Sequence, residues 1–133
     1  VMVSYRWWDA PNAYGAPGSV SCPAPMAATH GSASPYATNN TLVAWGAGIK
    51  EGVMSDAPCG IVDIAPTVLY LLGIEPPASI DGRILREILR EGPAADSLPI
   101  ARTTIETACG SRRQTAHYST VEGYRYLDRI TIE

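Results

Sequence analysis

His30 is the side chain whose type and surroundings point most directly to chemistry. It stands in Thr29-His30-Gly31-Ser32, near the end of a stretch from Asp9 to Pro35 that is crowded with Pro, Gly, Ala and Ser. An imidazole titrates near neutrality, and its neutral form is a good ligand for zinc and a tolerable one for manganese or iron. Gly31 has no Cβ, so the backbone beside the ring can come close to a bound ion or ligand. The local residues leave three roles open: metal ligand, catalytic base, or a hydrogen-bonded surface histidine.

The other residues able to do chemistry have structural explanations close at hand. His117 falls in a strand-like run and reads as a half-exposed strand residue. Asp63 precedes an apolar helical run, where a carboxylate N-cap accepts from the free amides of the first turn. Asp81-Gly82-Arg83 reads as a helix start with a turn glycine, and an anion contact by Arg83 is the weaker alternative. Cys22, Cys59 and Cys109 form no CxxC pair, and three cysteines cannot complete a disulfide framework. They read as small apolar residues, although one pair could form. Trp7, Trp8, Tyr14 and Tyr36 flank the His30 loop, where lid or core packing is a commoner use of aromatics than stacking on a base or sugar. Asn39-Asn40-Thr41 fits a glycosylation sequon, which has meaning only in a eukaryotic secretory protein and is discounted. No activated nucleophile is evident, so no catalytic residue is assigned.

The elements that must position these groups follow from periodicity and punctuation. Val1 to Trp7 alternates as a strand, and Asp9 to Pro35 reads as a long loop of the kind that lines sites. Thr41 to Trp45 is expected to be a buried strand closed by the Gly46/Gly48 turn. A helix starts at Asp63, carries Pro66 in its first turn and ends at Gly73, and its nearly all-round apolar surface predicts burial against a sheet. A second helix is expected from Asp81 or Gly82 to about Glu91, with Ile84, Leu85, Ile88 and Leu89 as its apolar stripe. Thr103 to Thr107, Gln114 to Val121 and Tyr124 to Ile132 read as strands, the last two a hairpin turning at Glu122-Gly123.

Composition bounds the class. A chain of 133 residues, residues 1–133, fits a single domain with its own core. The formal charge of -3 and the lack of a basic cluster argue against nucleic acid as a partner. The longest apolar stretch, Ile61 to Ile74, is broken by Asp63 and Pro66 and falls short of the roughly twenty apolar residues a bilayer needs. No membrane partner is therefore expected. Val1 opens in a strand-like run without a methionine or a signal-peptide pattern, which reads as a piece of something longer and leaves the compartment undecided.

The motifs T-H-G-S (29–32), N-T-L-V-A-W-G-A-G-I-K (40–50), V-D-I-A-P-T-V-L-Y-L-L-G-I (62–74) and D-G-R-I-L (81–85) occur in that order. In order and spacing the chain resembles the C-terminal part of type I phosphodiesterase/nucleotide pyrophosphatase-like members of the alkaline phosphatase superfamily. The likeness covers roughly residues 1 to 90, and the third motif is shared with sulfatases. It implies an α/β fold, the C-terminal part of an α/β/α sandwich finished by a β-hairpin. It also implies a two-metal site, usually zinc, that activates a Thr or Ser against a small phosphate ester. In that family the histidine of the late H-G motif is a metal ligand, which makes His30 the metal residue here, and the aspartate matching Asp63 is structural. The family's nucleophile, its early aspartate and its Asp-His ligand pair lie upstream of the H-G motif and have no counterpart in this chain. The resemblance therefore implies a C-terminal portion that is silent alone and is partnered by the rest of its parent hydrolase or by self-association. The divalent metal would be held only in the complete site. The alternatives are a non-catalytic structural or interaction fragment and a part of a sulfatase-type hydrolase.

Overall fold

A computed structural model describes residues 7–20 and 32–133. His30, most of the expected first strand and part of the long loop lie outside the described residues. The chain packs as two compact units, one of Val1–Thr41, Arg102–Tyr118 and Leu127–Glu133, the other of Leu42–Ala101 and Ser119–Tyr126.

In the first unit, β1 (Trp7–Trp8) pairs antiparallel with β2 (Ser19–Val20), Trp7 opposite Val20 and Trp8 opposite Ser19. The turn between them forms because the Asn12 side chain accepts from the amides of Tyr14 (2.9 Å) and Ala16 (3.1 Å), a local bond that asparagine makes readily. Part of what reads as loop is thus a short antiparallel pair of strands joined by a ten-residue connection. A single helical turn, α1 (Pro35–Thr38), follows the His30 motif, with proline set in its first turn. Thr38 ties its end down, its single hydroxyl proton shared between the carbonyls of Asp128 (2.5 Å) and Ser34 (3.0 Å).

β3 (Ala101–Cys109), β4 (Arg112–Val121) and β5 (Tyr124–Ile132) form an antiparallel sheet in that order, each link only two residues long. Glu122 (φ 50°) and Gly123 (φ 87°) both take positive φ, the primed-turn geometry whose twist matches the strands it joins. The expected strands and hairpin are therefore present. The broad class is mixed α/β, an antiparallel sheet with short helices.

In the second unit a 3-10 turn, Ile61–Asp63, runs into α2 (Ile64–Leu71). Gly73 ends the helix at φ 71°, with the amide of Ile74 returning to the carbonyl of Leu69 at 2.9 Å. The expected burial of α2 is not observed. Only Pro66 and Thr67 are buried, and Ile64, Val68, Leu71 and Leu72 stay exposed because no sheet covers them among the described residues.

Two further expectations are corrected. Thr41 to Trp45 is irregular and exposed, Trp45 at 94%, because no strand lies beside it among the described residues and β-propensity alone forms no ladder. The pairing falls later, as an isolated antiparallel bridge of Ile49 with Leu89. The second helix is absent as well, and residues 81–91 run irregularly with one 3-10 turn, Arg86–Ile88. The amides of Arg83 and Leu85 donate to the side chains of Asp63 (2.8 Å) and Thr67 (2.9 Å), tertiary bonds that tie the segment to the start of α2 along a path that leaves the helical region at Leu85 (ψ 70°). Leu85 and Leu89 are still buried, and with Ile49 and Val121 they make this unit's small core.

Candidate functional site

His30 and Gly31 lie outside the described residues, and the chain that leaves them is firmly placed. Ala33 and Ser34 are buried, and the Ala33 carbonyl accepts from the amide of Ile130 at 2.9 Å. Trp7 Nε1 donates to the carbonyl of the same Ile130 at 2.7 Å. The Trp7 ring meets Tyr36 edge-on, centroids 6.2 Å apart, and the Tyr36 hydroxyl donates to Asp9 at 2.9 Å. That bond is the main reason the Tyr36 phenol sits above its ordinary pKa. Of the aromatics that flank the loop in sequence, Trp7 and Tyr36 pack together at its exit, whereas Tyr14 is 94% exposed and packs on nothing among the described residues. Beside them Trp7, Trp8, Asp9, Thr131 and Ile132 line an open cleft of about 250 Å³.

The second unit holds a buried polar network that joins two of the sequence motifs. Asp63 is fully buried and does not cap α2 through its side chain, which corrects the N-cap expectation. Its Oδ2 accepts from the Gly60 amide (2.7 Å) and the Tyr126 hydroxyl (3.0 Å), while Oδ1 accepts from the Arg83 amide (2.8 Å). Asp63 therefore closes the preceding 3-10 turn from within and grips the Asp81-Gly82-Arg83 segment.

Arg83 is buried and donates through both terminal nitrogens to Glu87, at 2.9 and 2.5 Å. It donates further to the Tyr126 hydroxyl (3.0 Å) and the Pro58 carbonyl (3.1 Å), with Glu122 at 3.5 Å. An anion contact by Arg83 is thus pre-empted by the chain's own carboxylates. Burial disfavours the charged guanidinium, but the Glu87 hydrogen bonds and charge outweigh it and hold the group above its ordinary range. Burial raises the Tyr126 phenol, opposed by the Arg83 charge and reinforced by Asp63. The Cys59 thiol is likewise raised, by desolvation first and then by the charge of Asp63, so it is no activated nucleophile.

Glycine is required where these segments meet. A Cβ on Gly82 would stand 2.0 Å from the Val62 carbonyl oxygen. Glu87 and Tyr126 were not singled out by sequence, although Arg83 and Glu87 stand at the four-residue spacing of paired charges. Among the described residues no buried side-chain polar atom lacks a partner, which marks this network as a scaffold. His117 is half-buried in β4 with its Nε2 3.4 Å from the Thr131 hydroxyl, as expected of a strand residue.

Among the described residues no three His, Cys, Asp or Glu side chains are grouped to hold a metal ion. No described helix is long and apolar enough to cross a membrane. Comparison with protein-family models, with curated proteins and with solved structures finds no match.

Proposed function

We propose that this chain is the C-terminal portion of a metal-dependent phosphodiesterase or phosphatase of the alkaline phosphatase type, built into an α/β/α sandwich. His30 is the ligand it contributes to a site for divalent ions, zinc first. The observation that carries this reading is the order of four motifs on one chain: Thr29–Ser32, Asn40–Lys50, Val62–Ile74 and Asp81–Leu85. The last two support it further by being physically coupled, since Asp63 and Thr67 of one hold the amides of Arg83 and Leu85 of the other.

Divalent ions in such a site lower the pKa of an attacking hydroxyl and stabilise the leaving oxygen. This chain's share is to hold a neutral imidazole at the site, and the Ala33–Thr38 segment that follows the motif is anchored on β5. An imidazole must shed its proton to bind a metal, so protons and the ion compete for the ring. The test uses the longest gene product that contains this chain, assayed on bis-p-nitrophenyl phosphate and on a sulfate ester. Hydrolysis of the phosphate ester, abolished by EDTA and restored by zinc, supports the reading, and turnover of the sulfate ester alone replaces it with the sulfatase-type alternative.

One observation favours a second reading, a non-catalytic packing module. The apolar residues of α2 are exposed as though further protein covers them. That module would show no metal-dependent hydrolysis in the same assay.

A further inference from the structure

The two edges of the three-stranded sheet differ. β5 is covered: the Ala33 carbonyl, the Thr38 hydroxyl and the Trp7 indole all bond its backbone, at Ile130 and Asp128. β3 has no strand on its outer side among the described residues, and all nine of its residues are exposed. Strand edges of this length normally carry a device against pairing, such as proline, a bulge or repelling charge. β3 instead reads Arg102-Thr103-Thr104-Ile105-Glu106-Thr107, rich in β-branched residues and with opposite charges four apart.

That spacing is self-complementary. The two-residue turn after β3 makes Cys109 and Arg112 the pair that flanks it, and the amide and carbonyl of Arg113 are both spent on Glu133. By alternation, Arg102, Thr104 and Glu106 then direct their backbone groups away from β4, along the open edge. If two such edges meet antiparallel with Thr104 opposite Thr104, these outward residues face one another, and each Arg102 stands opposite a Glu106 twice over. Shifts of two residues either way break both charge pairs.

We infer that β3 is the surface through which two copies of this chain associate, antiparallel about Thr104, with Arg102 of each opposite Glu106 of the other. Pairing joins two three-stranded sheets into one of six, and the covered β5 edges at both ends stop growth there, so the product is a closed dimer. Glu106 already receives Arg113 of its own strand pair at 3.1 Å, both side chains more than half exposed, and its second oxygen serves the incoming arginine.

The experiment is sedimentation velocity on the full chain over a concentration series, with far-UV circular dichroism to confirm that each variant folds. The wild type is expected to dimerise. Arg102→Glu sets Glu against Glu, Glu106→Arg sets Arg against Arg, and each is expected to weaken the dimer by about 10-fold or more. An equimolar mixture of the two variants restores both charge pairs and is expected to form a heterodimer that neither forms with itself. A wild type that stays monomeric, variants that dimerise like the wild type, or a mixture that stays monomeric would overturn the assignment.

Discussion

Replacing Asp63 by alanine tests the buried network most severely. The side chain is fully buried and accepts three hydrogen bonds, two of them from backbone amides that cannot swing to another partner. Removing it strands the Gly60 and Arg83 N–H groups and leaves the Tyr126 hydroxyl to find a new acceptor. A buried donor deprived of its acceptor costs about 1–3 kcal/mol, and the Gly60 amide, only partly buried, recovers some of this from water. The expected loss is therefore about 3–4 kcal/mol, a large part of the roughly 5–15 kcal/mol by which domains are stable. With a urea slope of about 1.5 kcal/mol per molar, the unfolding midpoint moves down by about 2 M. Asp63→Asn keeps the shape and one acceptor and should lose about half as much. The assay is urea unfolding followed by far-UV circular dichroism. A loss below about 1 kcal/mol for the alanine variant would refute the scaffold role, because three buried bonds cannot vanish that cheaply.

Three further outcomes follow from the same geometry. Gly82→Ala forces a Cβ against the Val62 carbonyl and should cost about 2–3 kcal/mol by urea unfolding, whereas Gly52→Ala, with open space at φ 66°, should lose only about 1 kcal/mol to backbone strain. Tyr126, whose phenol is raised by burial, stays protonated in the fold after its unfolded counterpart ionises near pH 10. Its contribution is thus full below that pH and is lost as pH rises above it, so urea midpoints at about pH 9 and about pH 11 should differ less in Tyr126→Phe than in the wild type. Lys50 Nζ donates to the carbonyls of Glu87, Gly92 and Pro93, so Lys50→Met should destabilise by about 1–3 kcal/mol, read as a lower Tm.

The parts of the fold legible in sequence are those that local chemistry decides. The Glu122-Gly123 turn, the three strands and the Gly73 stop need only short-range rules. Residues 81–91 carry a convincing helical stripe, yet Asp63 and Thr67, some twenty positions earlier, take the amides of Arg83 and Leu85. No window along the sequence contains those bonds, which hold the segment to the start of α2 in an irregular path. Thr41 to Trp45 shows the converse, a strand pattern that has no neighbour to pair with among the described residues. For the site, sequence named Asp63 and Arg83 but not what they do together, because the Tyr126 that joins them is brought in by tertiary packing, whereas Glu87 is within local reach at four residues from Arg83. His30 stands on motif order alone, its own placement lying outside the described residues.

The proposed binding of metal by His30 within a larger hydrolase is tested most directly by the zinc content of the longest gene product, wild type against His30→Ala. Elemental analysis after exhaustive dialysis should show bound zinc in the wild type, and at least a 10–100-fold weaker affinity for an ion in the variant, with phosphodiester hydrolysis falling alongside. Equal zinc and equal hydrolysis in the two proteins would contradict the claim.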